Sequence, residues 1–249
     1  MLEHRSSGIL LPVFSLPGPY GIGTMGKAAR TFVDFLADAG QSYWQILPLV
    51  PPGGGASPYM SYSTFAGNPL FIDPDLLAEE GLLTPEELES ARYEAPDRVD
   101  YEFLSATRMN LLHKAFERSP AVSADWPWLA DYTAFMARHD AYGTPWQQWP
   151  KELDEPDAGA VAFHTFLQVT FFRQWHALKQ YANDKGIKLI GDLPIYVSPD
   201  SVETFCHPEL FQLDENFALK AVAGVPPDAF SEDGQLWGNP LYNWKKMAD

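Results

Sequence analysis

Apolar residues in this chain form two kinds of run, and the two alternate. GILLPVFSL (8–16) is a continuous apolar stretch bounded by Gly and Pro, which predicts a buried strand. LPGPYGIGTMG (16–26) is a Pro/Gly loop. Ala29, Phe32, Phe35, Leu36 and Ala39 then recur at helical spacing, and Gly40 stands where a C-cap glycine belongs, so a helix is expected from Lys27 to Ala39. SYWQILPLV (42–50) reads as a second buried strand. This is a βαβ unit, and strands this uniformly apolar imply an α/β fold with a parallel sheet covered on both faces.

The pattern changes after residue 50. PPGGGASPYMSYSTFAGNP (51–69) is long and rich in Gly, Ser and Tyr. Long loops inside compact domains are functional or disordered, and these rings and hydroxyls favour function. Residues 74–150 read as a helical insertion. TPEE (84–87) predicts a helix start, with Thr84 as N-cap, Pro85 at the first position and Glu87 completing a capping box. Further helices are expected over 101–118 and 128–140, with the rings of WPWLADY and PWQQWP packed around them. Phe163, Leu167, Phe171, Trp175 and Leu178 mark one face of a long helix that Gly186 ends. IKLIGDLPIYV (187–197) predicts a third buried strand, and 211–249 reads mostly as loop, with a short hairpin around 211–222.

Composition narrows the possible functions. The 249 residues carry a formal net charge of -16, which repels phosphate backbones and argues against nucleic acid as a partner. Cys206 is the only cysteine, so no intrachain disulfide forms, as suits a cytoplasmic location. The first residues, MLEHRSSGILLPVF, carry charge early and are cut by Pro12, unlike a signal peptide. No apolar stretch is long enough to span a bilayer, so no membrane partner is expected. Aromatics make up 14% of the chain, and rings beyond core needs make flat platforms for sugar faces.

GIGTMG (21–26) has the glycine spacing of a dinucleotide-binding fingerprint. That site also needs a strand running into the first glycine and an acid about 20 residues on. SLPGPY intervenes before Gly21, and the second strand ends QILPLVPP with no acid. The nucleotide reading therefore fails, and the glycines are expected to form a tight turn closing over the mouth of the sheet.

In parallel α/β folds ligands sit at the carboxyl ends of strands. Ser57, Tyr59, Ser61 and Tyr62 follow the second strand, and Asp192 and Tyr196 end the third. Beyond them VAGVPPDAFSEDGQLWGNPLYNW (222–244) offers Asp228, Gln235, Trp237 and Asn239. Hydroxyls, carboxamides, carboxylates and rings with few cations suit a carbohydrate site. Asp192 is either a ligand contact or an acceptor for turn N–H groups. Asp228, in PPDAF, is either a contact or a turn-former, and Trp237 is expected to be solvent-accessible. The six histidines show no metal spacing, so no metal site is expected, and no Gly-x-Ser-x-Gly or Walker loop appears.

SGILLPVFSLPGPYGIG, YWQILPL and SPYMSYSTFAGNP resemble the opening of the amylomaltases, the 4-α-glucanotransferases of glycoside hydrolase family 77. GDLPIYV and VAGVPPDAFSEDGQLWGNPLYNW resemble two further stretches, so the likeness runs from about residue 5 to 244. It implies a partial TIM (β/α)8 barrel, about its first three strands, with a helical insertion. Residues 1–73 would hold the first barrel units and the SPY loop, 74–150 the insertion, and 151–249 a barrel helix, the third strand and a glucan-covering loop. It implies retaining transfer of α-1,4-glucan segments between maltooligosaccharides or starch-type α-glucans, with no cofactor. By resemblance Asp192 supports catalysis near the cleaved bond, Ser57 and Tyr59 are donor-side contacts, Asp228 lies on a loop over the acceptor side, and Gln235, Trp237 and Asn239 are further glucan contacts. Met60 stands where many members carry Gln, and Ala229 where some carry Tyr. The family's nucleophile sits in an Arg-x-Asp-His context, which these residues lack, and its acid/base glutamate follows on a later strand. The expectation is an N-terminal portion that is inactive alone, its third strand an open apolar edge; the alternative is a non-catalytic glucan-binding fragment. A working pair of Asp192 and Asp228 would need carboxyls about 5 Å apart.

Overall fold

A computed structural model describes residues 5–93 and 98–247. The chain divides into two compact units. The first comprises the chain up to Leu49, Gly67–Ala124 and Ala162–Leu193; the second comprises Val50–Ala66, Asp125–Val161 and the chain from Pro194.

The first unit holds a three-stranded parallel sheet of β1 (Gly8–Leu10), β2 (Tyr43–Gln45) and β3 (Lys188–Ile190), in that spatial order. Ile9, Trp44 and Leu189 are in register and pack on the core, with Trp44 fully buried. Leu10, Gln45 and Ile190 are in register on the opposite face, where Leu10 is 54% and Ile190 43% exposed. This corrects two expectations. The apolar runs give strands of only three residues, because prolines follow closely, and a 3-10 turn at Val13–Ser15 takes over the first run. Nor is the sheet covered on both faces within the unit, since successive side chains of a strand point to opposite sides.

Helix α1 (Lys27–Asp38) links β1 to β2. Its buried face is Ala29, Val33 and Leu36, while Phe35 is 55% exposed. The expected face was thus rotated: steps of four and three from Ala29 place Val33, not Phe32, at its centre. The GIGTMG glycines have steric work. Gly21 has φ +75°, a Cβ on Gly23 would lie 1.8 Å from the Val13 carbonyl oxygen, and one on Gly26 would lie 2.0 Å from Asp73 Oδ2. The Asp73 carboxylate, which accepts from Thr24 Oγ1, thus sits beside the start of α1 and would repel a phosphate there.

Helix α2 (Pro74–Glu79) is capped by Asp73, which accepts the Leu76 N–H. Helix α3 (Pro85–Ser90) opens with the capping box read from TPEE: Thr84 Oγ1 accepts from Glu87 N, and Glu87 accepts from Thr84 N. Helix α4 (Tyr101–Arg118) follows. Helix α5 (Leu129–Tyr142) lies in the second unit and ends at Gly143, in left-handed backbone. Helix α6 (Ala158–Asp184) buries Phe163, Leu167, Phe171 and Leu178, with Trp175 partly buried beside them. No helix among the described residues is long and apolar enough to cross a membrane.

The second unit has its own core of Ala66, Tyr132, Phe135, Trp146, Trp149 and Val202. Trp146 Nε1 lies 3.1 Å from the Pro199 carbonyl and 3.0 Å from Thr204 Oγ1, tying its ring to helix α7 (Val202–Cys206). The antiparallel pair is β4 (Val222–Val225) with β5 (Gln235–Pro240), followed by the short α8 (Trp244–Met247). The short hairpin expected around 211–222 is present only in minimal form: Leu213 and Leu219 form an isolated antiparallel bridge, flanked by backbone bonds from Asp214 N to the Ala218 carbonyl (2.9 Å) and from Lys220 N to the Gln212 carbonyl (3.0 Å). Its turn is closed by the Asp214 carboxylate, which accepts the N–H groups of Asn216 and Ala218.

Candidate functional site

The Ser/Tyr loop and β5 meet in the second unit. From Pro51 the chain runs out, reverses near Gly55, and returns through Met60 to Ala66. Met60 N donates to the Ser57 carbonyl (3.1 Å), and Gly53 N to the Met60 carbonyl (2.6 Å). Pro52 bridges Ser61 in antiparallel sense, and Ser61 Oγ donates to the Pro51 carbonyl at 2.8 Å while accepting Ser63 N at 3.1 Å. Small and hydroxylated residues suit such a path, since their side chains replace absent backbone partners.

Asn239 of β5 holds this loop. Its Nδ2 donates to the Val197 carbonyl (2.8 Å) and lies 2.9 Å from Met60 Sδ and 3.4 Å from the Tyr59 carbonyl. Around these groups lies a cavity of about 530 Å³, lined by Ser57, Tyr59, Met60, Pro194, Ile195, Tyr196, Trp237 and Asn239. Ser57 Oγ accepts the Tyr59 N–H at 3.3 Å. Trp237 is 44% exposed, as expected; its Nε1 donates to Gln235 Oε1 at 3.0 Å, and its ring lies 6.4 Å from that of Tyr196 at 58°. Rings, hydroxyls and a carboxamide without a charged group form a wall suited to a neutral polar ligand with apolar faces.

Five of the sequence-derived residues, Ser57, Tyr59, Tyr196, Trp237 and Asn239, thus share one cavity. Gln235 stands behind it as the acceptor for the Trp237 indole. Asp228 is not among its lining residues: on the β4–β5 connection its Oδ1 accepts the N–H groups of Phe230 and Ser231, the turn-former's role. Asp192 follows β3 and belongs to the first unit.

A second cavity of about 550 Å³ has Met60, Tyr62, His139, Gln147 and Asp200 among its lining. Asp200 Oδ2 lies 3.0 Å from His139 Nε2, and Asp200 Oδ1 accepts Trp146 N at 3.1 Å. The His139 ring meets the Tyr62 ring edge-on at 4.8 Å. Burial, with Asp200 and Asp140 adding, pushes the Tyr62 hydroxyl above its ordinary value. Sequence reasoning named Tyr62 but missed His139 and Asp200, which are 61 residues apart and carry no local spacing signal.

The family-77 glycoside hydrolase profile, described as 4-alpha-glucanotransferase, matches residues 11–249. A 4-alpha-glucanotransferase of Thermus thermophilus is 48% identical over 96% of this chain and 52% of that protein. One from Synechocystis sp. is 46% identical over 99% of this chain and 54% of its own length. The structure of the amylomaltase from Streptococcus agalactiae in complex with acarbose superposes with a TM-score of 0.90, at 42% identity, over 99% of this chain and 55% of that one. The chain spans about half the length of these relatives. A match over nearly all of its residues, in sequence and in backbone, places this chain in glycoside hydrolase family 77, the 4-alpha-glucanotransferases.

Proposed function

We propose that this chain supplies part of the glucan site of an enzyme that transfers α-1,4-glucan segments between maltooligosaccharides by retaining double displacement. Support comes chiefly from the convergence of Ser57, Tyr59, Trp237 and Asn239 on one uncharged, ring-walled cavity. A glucose ring presents apolar C–H faces and equatorial hydroxyls. Trp237 and Tyr196 would stack on the former, while Ser57 and the backbone of the SPY turn would pair with the latter. In this reading β1–β3 are the first strands of a (β/α)8 barrel, Asp192 supports the chemistry at the end of the third strand, and Asp228 and Gln235 shape the loop over the glucan. The nucleophile and acid/base are assigned outside these 249 residues, which contain no Arg-x-Asp-His. A retaining pair stands about 5 Å apart across the scissile bond. These residues alone would therefore grip a glucan without transferring it.

The test is a titration of the 249-residue chain with maltoheptaose, followed by tryptophan emission. Quenching is expected, and W237F should lose most of it although the other seven of the eight tryptophans remain. No quench at saturating sugar would overturn the reading.

A further inference from the structure

The loop that carries Ser57 and Tyr59 is held from two sides. Asn239 takes the outer part, at Met60 and Tyr59. The return limb is held by Glu203 of α7. A single oxygen, Glu203 Oε1, accepts Thr64 N at 2.7 Å, Thr64 Oγ1 at 2.9 Å and Ser63 Oγ at 3.2 Å. Beside this clamp Val202 N donates to the Tyr62 carbonyl at 2.9 Å. Helix α7 is well fixed: Ser201 caps it by accepting Thr204 N, and Thr204 is fully buried and bonded to the Pro199 carbonyl.

The other oxygen, Glu203 Oε2, is buried and unpartnered among the described residues, and no cation pairs with the carboxylate there. A carboxylate removed from water is costly unless hydrogen bonds compensate it. Among the described residues, the hydrogen bonds that Glu203 accepts through its side chain come from two adjacent loop residues, Ser63 and Thr64. An apolar residue would pack on α7 without that cost but could not register the limb.

We infer that Glu203 is a positioning residue for the glucan cavity: it sets the return limb Ser61–Ala66, and through it the stance of Ser57, Tyr59 and Met60. The inference rests on the reading of that cavity as a glucan site. Replacing Glu203 by alanine leaves three donors without their acceptor and frees the limb to shift, while the cavity-lining side chains stay unchanged.

The test compares maltoheptaose affinity and thermal stability for wild type, E203A, E203Q and T64V, with affinity read well below each melting temperature. E203A is expected to weaken binding about tenfold, the equivalent of one unsatisfied buried polar group. E203Q keeps an oxygen in the Oε1 position and should bind within roughly threefold of wild type. T64V removes one hydroxyl at constant shape and should fall between them; it also gives the reading should E203A not fold. Wild-type binding with unchanged affinity in E203A or T64V would overturn the positioning role and leave the glucan site standing. Absence of binding by wild type itself would overturn both.

Discussion

Glu87 shows how one residue serves its helix and the packing around it. Its side chain completes the capping box of α3, and both of its oxygens accept from the Arg118 guanidinium of α4, at 2.7 and 2.9 Å. Those Arg118 bonds, with the Thr84 N–H, hold its carboxyl at about 2, below the ordinary 4.5. A carboxyl depressed in the folded state stabilises that state above its unfolded pKa, and the contribution disappears as pH falls through the folded value. The stabilisation is therefore present above about 4.5 and lost between about 4.5 and about 2. E87Q should melt below wild type near neutrality, and the two should converge across that window. Melting curves that stay separated down to about pH 2 would contradict this. The capping half of the arrangement was legible in TPEE, because N-cap chemistry is local. The Arg118 half, 31 residues away, was not.

At the scale of elements, Arg108 of α4 bonds three backbone carbonyls outside its own helix. It is buried, and its guanidinium donates to the carbonyls of Leu70 (2.9 Å), Ile72 (2.8 Å) and Tyr20 (3.3 Å). Burial lowers its pKa to about 10, so it stays charged near neutrality. It joins α4 to the 3-10 turn at Pro69–Phe71 and to the approach to the glycine run. R108M keeps much of the apolar stem and removes every donor. The expected loss is about 3 kcal/mol in urea unfolding, because the carbonyls remain buried without partners. A loss under about 1 kcal/mol would mean that water replaces the guanidinium. Helix α6 was legible from Phe163 to its end before Gly186 because steps of four and three place Phe163, Leu167, Phe171 and Leu178 on one face. The strands were legible in position and not in length. Apolar content does not distinguish a three-residue strand from the 3-10 turn that follows it at Val13–Ser15.

For the whole molecule, the proposal separates binding from transfer. Incubated with maltotriose, the 249-residue chain is expected to release no glucose and to form no longer oligomers, while maltoheptaose still quenches its fluorescence. Glucose release would mean that a working carboxylate pair lies within these residues, and the catalytic assignment would fall. The exposed sheet face of Leu10, Gln45 and Ile190 is a feature of the same scale. Each strand alternates correctly, and only the assembled sheet reveals which side has no cover within its unit.

The sequence by itself determined the α/β character, the βαβ start, the capped and periodic helices, the family, and most residues around the cavity. These are properties of short spacings and of long, specific motifs. Tertiary structure decided that Ser57 and Tyr59 share a cavity with Trp237 and Asn239, that Asp228 closes a turn outside its lining, and that Glu203 and Asn239 hold the loop between them. Thr64 and Glu203 are 139 residues apart, and Asn239 and Tyr59 are 180 apart. No local period encodes such pairs. They arise when packing brings distant backbone segments within hydrogen-bond reach, where a buried donor must find an acceptor.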